Sequence, residues 1–283
     1  MGYVHDKMPL MGFGTFQIKS SDIYQCLDVA LQCGYRFIDT AQCYGNEKAI
    51  GDALQILLPK YNLGRNDIFI TTKVAPNSQG KGKCRKSVLK SLEKLQTEYV
   101  DLVLIHWPGT ANLSSDSVKN AKNRKESWED LEELYNEGIV RSIGVSNYNI
   151  EHLKELMTYC KVKPEVNQCE YHPYFYTQDL VSYCKENGIH FQAYSSFGSA
   201  ANKNVLMDDE EIKKFAKSRN VTVNQLLLAW SLSQDISVLP RSKCSDHIIE
   251  NFHGSELKLT PSEVKALVKE EQRKFCWDPS KVV

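Results

Sequence analysis

The sequence predicts a single (β/α)8 TIM barrel, and three observations carry that reading. Short apolar segments alternate with longer segments of helical period. Eight strand-then-helix units follow one another, and no linker or compositional break divides the 283 residues. Strands regularly followed by helices imply right-handed crossovers and a parallel sheet. Eight units in a chain near the ~250 residues typical of the fold favour closure into a barrel. A doubly wound open sheet is the competing architecture. It normally carries a glycine-rich turn after its first strand, and Gly12-Phe13-Gly14-Thr15 does not complete that fingerprint. A short N-terminal hairpin is expected before the barrel, and long loops over its C-terminal mouth. The whole chain, 1–283, is expected to form one domain.

The first apolar segment, 11–14, leads to a helix over 22–32, with Ser21 as N-cap and Gly34 as stop. The second, 36–38, runs into Asp39 and is followed by a helix over 47–58 that Pro59 ends. Segment 67–72 runs into Lys73 and precedes a helix over 84–95. Segment 100–105 runs into His106 and precedes a helix over 128–136, closed by Gly138. Strand 140–145 leads to a helix over 150–159, and strand 165–168 to one over 179–187. Strand 189–194 leads to helices over 208–219 and 223–233, and strand 236–239 to a last one over 246–250. Two connections exceed the usual length, the polar 109–127 and the stretch after Asn251. Both are expected to be surface loops.

Composition excludes several classes of function. Lysine plus arginine equals aspartate plus glutamate at 35 each, so no net field favours nucleic acid or an anionic membrane. No apolar run approaches the roughly 20 residues of a membrane helix, and no signal-peptide segment opens the chain. The nine cysteines show no CxxC pairs or zinc-like spacing, which fits free thiols in the cytosol. No His/Cys/carboxylate cluster has metal-ligand spacing, so no metal is expected. The basic stretch 80–86 lacks the Ser or Thr that a phosphate loop carries after its Gly-Lys pair, and reads as a solvated loop.

Asp39, Tyr44, Lys73 and His106 stand at or just after consecutive strand ends. In a barrel these converge on one mouth, where barrel enzymes keep their chemistry. Taken singly, each has a plainer reading as an ion pair, a packing tyrosine or a capped strand end. Together they are suited to protonating an oxygen that gains negative charge. Lys73 is expected to lower the pKa of the Tyr44 phenol, Asp39 to hold Lys73 charged and in place, and His106 to orient the substrate oxygen.

The motifs that carry these residues resemble those of the aldo-keto reductases. They include Asp39-Thr-Ala-Gln-Cys-Tyr44-Gly-Asn-Glu47, Thr72-Lys73 and Leu104-Ile-His106-Trp-Pro108. Gly144-Val-Ser146-Asn147, Glu165-Val-Asn-Gln168-Cys-Glu-Tyr-His-Pro173, Gln192-Ala-Tyr194-Ser195 and Leu239-Pro-Arg-Ser242 follow in the family's order over nearly the whole chain. The resemblance implies a barrel that binds NADPH/NADP+ without a separate nucleotide domain. It implies Tyr44 as general acid, Asp39 and Lys73 tuning it, and His106 orienting a carbonyl. Ser146, Asn147 and Gln168 would hold the nicotinamide carboxamide over Tyr194. Ser195 and the turn 196–199 would line the pyrophosphate. Gly14 and Thr15 at the first strand end, Arg241, Ser242 and His247 after the eighth, and Glu250 and Asn251 at the adenine complete the cofactor set.

Two positions depart from the family pattern. Arg241 stands where lysine is usual and keeps the charge. His247 stands where many members carry an arginine on the 2′-phosphate, and histidine supplies less charge at neutral pH. NADPH is therefore expected to be preferred over NADH by a reduced margin. On the substrate side, Phe16, Trp107, Tyr44 and His106 are expected to line the pocket. Phe275 and Trp277 either wall it or pack the tail. The expected protein is a cytoplasmic monomer that reduces small carbonyl compounds and binds neither membrane nor nucleic acid. A catalytically silent NADP(H)-binding barrel is the alternative, and the complete set of four residues counts against it.

Overall fold

The computed structural model describes residues 2–198 and 205–283. Eight parallel strands follow one another around the sheet in chain order. They are β1 (Phe13–Gly14), β2 (Phe37–Asp39), β3 (Phe69–Val74), β4 (Leu102–Ile105), β5 (Ile143–Ser146), β6 (Val166–Glu170), β7 (His190–Tyr194) and β8 (Ser237–Val238). The sheet closes where Met11 bridges Val238 in parallel register. There the Gly12 N–H donates to Val238 O at 2.9 Å and the Val238 N–H to Leu10 O at 2.8 Å. A Cβ on Gly14 would stand 2.8 Å from Leu239 O, so glycine is what lets the first strand approach the last. The (β/α)8 barrel expected from the sequence is the fold.

Helices α1 (Tyr3–Lys7), α2 (Ser20–Cys33), α3 (Glu47–Lys60), α4 (Lys83–Leu95), α5 (Lys119–Asn136) and α6 (Ile150–Tyr159) accompany the first five strands. Helices α7 (Gln178–Glu186), α8 (Val205–Asp208), α9 (Glu210–Ser218), α10 (Val223–Leu232), α11 (Ser245–His253) and α12 (Pro261–Leu267) accompany the rest. In α2 the buried residues Ile23, Cys26, Leu27, Ala30 and Leu31 repeat at helical spacing, so one stripe faces the sheet. Gly34 takes the left-handed conformation at φ 112° that ends the helix, as expected. No helix among the described residues is long and apolar enough to cross a membrane.

The barrel interior divides by height. Its floor is apolar: Phe37, Phe69, Leu102, Leu104 and Val166 pack with Val4 and Met8. Those last two belong to α1 and its C-cap, which corrects the N-terminal hairpin expected from the sequence. Val4 and Met8 lie four residues apart and meet the barrel floor from one helix face. The turn is fastened by Glu165 Oε2, which accepts from the Val4 N–H at 2.9 Å, and by Tyr3 OH, which donates to Asp101 Oδ1 at 2.7 Å.

Several element boundaries also differ from the sequence reading. The polar stretch 119–127, expected as loop, is the first half of α5. Its buried face there consists of Asn120, Arg124 and Ser127, so helical period is present but not hydrophobic. Arg124 donates to Pro108 O and Val283 O and pairs with Glu155. Helix α3 runs through Pro59 to Lys60, and the Tyr61 N–H closes the last turn onto Leu57 O and Leu58 O. The N-cap of α2 is Lys19, while Ser21 lies inside the first turn with its hydroxyl on Asp22. After Asn251 the chain forms α12, capped by Thr260, and buries Leu259, Val264, Leu267 and Phe275.

Candidate active site

Above the apolar floor the barrel mouth is polar. Asp39 ends β2, and Lys73 lies next to last in β3; both are buried. Lys73 Nζ donates to Asp39 Oδ1 at 2.5 Å, to Thr40 O at 2.9 Å and to Tyr44 OH at 3.2 Å. His106 follows β4, and its ring meets the Tyr44 ring edge-on with centroids 5.7 Å apart. The four residues singled out in the sequence are therefore one constellation.

Their electrostatics correct one expectation. Burial pushes the Tyr44 phenol well above its ordinary value, and the charges of Asp39 and Cys43 push it further. Lys73 Nζ lies 3.2 Å from the phenol oxygen, and burial prevails over it in the resting site. Burial raises the Asp39 carboxyl and lowers the Lys73 ammonium, each opposed by the other's charge. Burial, helped by the Lys73 charge, lowers His106 to about 3. At neutral pH the pocket thus holds a protonated phenol and a neutral imidazole.

The loop that carries Tyr44 is pinned from three sides. A 3-10 turn, Gln42–Tyr44, is closed by Gly45 at φ 72°. Gln42 Oε1 accepts from the Ala75 N–H at 3.0 Å, which ties the turn to the end of β3. Asn46 Nδ2 donates to Thr15 O and Ile18 O, while its Oδ1 accepts from Thr40 Oγ1. Thr15 Oγ1 in turn donates to Asp39 O at 2.9 Å. These bonds hold Phe16 over the phenol, 5.0 Å between ring centroids, with 41% of Phe16 exposed.

The other half of the mouth is built mainly from neutral groups. Asn147, at φ 64°, donates through Nδ2 to His106 O and Ser146 Oγ, both at 3.0 Å, and accepts from Tyr194 OH at 2.6 Å. Gln168 Nε2 donates to Asp39 Oδ2 at 2.9 Å and to Gln192 Oε1 at 2.6 Å. Gln168 therefore joins the two halves. Ser195, at φ 54°, lies 3.3 Å through its hydroxyl from Cys276 Sγ. Ser196 Oγ and Asn251 Oδ1 are buried without a hydrogen-bond partner among the described residues. Ser242 Oγ accepts from the Cys244 N–H, and Glu250 O from Gln225 Nε2. Arg241 and His247 are exposed.

A model of the "Aldo/keto reductase family" matches residues 10–271. The chain belongs to the aldo/keto reductase family. It is 36% identical over 272 residues to aldose reductase B of Dictyostelium discoideum, covering 91% of this chain and 87% of the relative. It is 37% identical over 271 residues to a glycerol 2-dehydrogenase (NADP(+)) of Hypocrea jecorina, covering 89% and 85%. The solved structure of an aldose reductase from Giardia lamblia superposes with a TM-score of 0.85 at 31% identity, covering 94% of each chain. As an aldo/keto reductase the protein is an oxidoreductase.

Several positions in this aldo/keto reductase were not assigned a role from sequence. Gln192 extends the Asp39–Gln168 line and donates to Ser237 Oγ at 3.0 Å, where His190 Nε2 also bonds. The polar alternation His190, Gln192, Tyr194 in β7 was the available signal. Glu170, buried at the end of β6, binds His172 at 3.0 Å, Lys274 at 2.7 Å and the N–H groups of Phe275 and Cys276 at 2.6 and 3.0 Å. Phe275 consequently packs in the core, stacked on His172 with centroids 4.7 Å apart. Trp277 is 69% exposed. Trp107 is half-buried, with its carbonyl accepting from Gln79 Nε2 at 2.6 Å. Ser199, the last residue of the expected pyrophosphate turn, lies outside the described residues. The described residues contain no group of three His, Cys, Asp or Glu placed to hold a metal.

Proposed function

We propose that this aldo/keto reductase reduces aldehydes or ketones to alcohols with NADPH, Tyr44 giving the proton to the carbonyl oxygen. The observation that carries the reading is the protonated Tyr44 phenol 3.2 Å from the buried Lys73 ammonium, beside a neutral imidazole. The names of the relatives, an aldose reductase and an NADP(+)-linked glycerol dehydrogenase, support it. Residues 1–283 are read as one domain, because the proposed site draws on strands from both halves of one closed sheet.

Tyr44 is stocked with its proton because burial disfavours the phenolate. As the proton leaves, the Lys73 charge stands where the new phenolate forms, so stabilisation is realised in the transition state and not in the resting site. Asp39 and Thr40 O keep that ammonium aimed. His106, being neutral, donates one N–H to the substrate oxygen. Phe16 and Trp107 wall the pocket against water.

The residues present fit the nucleotide. Two buried acceptors, Ser196 Oγ and Asn251 Oδ1, have no partner of their own, and Arg241 and His247 offer exposed groups that no carboxylate among the described residues engages. Arg241, Ser242 and His247 would bind phosphate, Ser146 and Asn147 the carboxamide, and Tyr194 the nicotinamide ring. Gly14, Thr15, Ser195, Glu250 and Asn251 would line the remainder. When bound, NADPH supplies the hydride. The experiment is Tyr44→Phe, followed by NADPH oxidation with a model aldehyde. Turnover is expected to fall by at least about a hundredfold, with cofactor affinity retained. Native turnover in the variant would sink the mechanism.

A further inference from the structure

The tautomer of His106 decides whether its pocket-facing nitrogen donates or accepts. A neutral imidazole carries one proton on either nitrogen, and the partner of the far nitrogen selects which. In this chain that partner is a thiol. Cys43, in the turn just before Tyr44, places Sγ 3.4 Å from His106 Nδ1. Nδ1 makes no other hydrogen bond among the described residues, and the backbone oxygen of His106 is held by Asn147 Nδ2. Nε2 is the nitrogen left to meet a substrate.

The direction of the Cys43 bond follows from the two groups. An imidazole nitrogen is a good acceptor and thioether or thiol sulfur a weak one, so the S–H donates. Burial raises the Cys43 thiol, which keeps the proton on sulfur, and His106 does not take it up. An ion pair of thiolate and imidazolium is thereby disfavoured, and the cysteine is not a nucleophile here. We propose that Cys43 is a positioning residue: its S–H donates to His106 Nδ1 and fixes the ring proton on Nε2, from which it is donated to the carbonyl oxygen. This rests on the reduction proposed above for the role of the donated bond, but not for the tautomer itself.

The test is a nitrogen-15 spectrum of the His106 side chain in the full-length protein at neutral pH, on the wild type, Cys43→Ala and Cys43→Ser. Cys43 lies in a surface turn outside the hydrophobic core, so neither substitution empties that core. The wild type is expected to show a bare Nδ1 and a protonated Nε2. Cys43→Ala should mix the two tautomers and lower kcat about fivefold, the worth of one hydrogen bond, at unchanged cofactor KM. Cys43→Ser keeps a donor and should recover both. A protonated Nδ1 in the wild type overturns the proposal, as does a Cys43→Ala protein with native spectrum and native kcat. Failure of the Tyr44 mechanism leaves the spectrum untouched, so the two ideas fail separately.

Discussion

The two arcs of the barrel mouth are built on different physical terms. The arc from β2 to β4 holds full charges, Asp39 and Lys73, which are buried and satisfy each other within the protein. The arc from β5 past β8 holds chiefly neutral amides and hydroxyls, with Glu170 a buried charge at the end of β6, exposed cations, and buried polar atoms without a partner among the described residues, Ser196 Oγ and Asn251 Oδ1 among them. In the first arc the two charges pair without a ligand, although Thr71 Oγ1 of β3 is buried without a partner among the described residues; the second arc presents polar groups that a ligand could engage. Gln168 spans them, with Asp39 on one side and Gln192 on the other, and Asn147 Nδ2 crosses to His106 O. On the reduction proposed above, the proton chemistry is organised in advance, while the binding surface keeps its hydrogen-bonding capacity in reserve.

The largest expected effect comes from breaking the first arc. Lys73→Met strands a buried carboxylate and should cost about 3–5 kcal/mol of stability together with activity. Adding Asp39→Asn should return much of the melting temperature and none of the turnover. If Lys73→Met melts like a surface variant, the two charges of the first arc do not satisfy each other. Next in size is Glu170, a buried carboxylate at the end of β6 within the second arc. Burial alone would raise its pKa, but His172, Lys274 and the Phe275 N–H override it and hold the carboxyl near about 2, against an ordinary 4.5. A depressed carboxyl stabilises the fold above pH 4.5, and that contribution fades as pH falls toward 2. Glu170→Gln should therefore lose about 3 kcal/mol in urea unfolding at pH 7 and little at pH 2. Equal losses at both pH values would show that the charge is not what holds the segment.

Smaller effects sharpen the reserve character of the second arc. Arg241→Ala should raise the NADP(H) KM about tenfold while leaving kcat and melting temperature nearly unchanged, because no carboxylate among the described residues pairs with its charge. A large drop in melting temperature would instead place Arg241 in the fold. The smallest change expected is His247→Arg, which should tighten NADPH about threefold and leave NADH alone. In the unaltered protein, equal Michaelis constants for the two cofactors would remove the preference altogether.

What could be read from sequence follows the same division. Asp39, Lys73 and His106 were legible because each ends an apolar run, and a strand end fixes where its last side chain goes. Tyr44 was legible as the residue a short loop later. The direction of the Tyr44 shift was not, since it depends on which of burial and the Lys73 charge prevails, and neither distance nor depth is written in a motif. The first half of α5 was missed because Asn120 and Arg124 repeat at helical spacing without being apolar. Helix α1 was missed because five residues are too few to show a period. Phe275 was left undecided until the backbone contacts of Glu170 placed it in the core.

The seam between Met11 and Val238 has a consequence for how the protein is made. Asp39, Tyr44, Lys73 and His106 belong to neighbouring strands that can associate early, over short loops. The seam joins the first strand to the last, the pairing with the greatest loss of chain freedom and so the slowest to form. The Gly14 N–H reaches Pro240 O, next in the chain to Arg241, only when that circle is shut. On the ribosome, the Asp39–Lys73–Tyr44 constellation would be assembled while the two sides of the seam were still separate pieces of chain. The last strand to arrive is what turns a row of strand ends into one closed mouth.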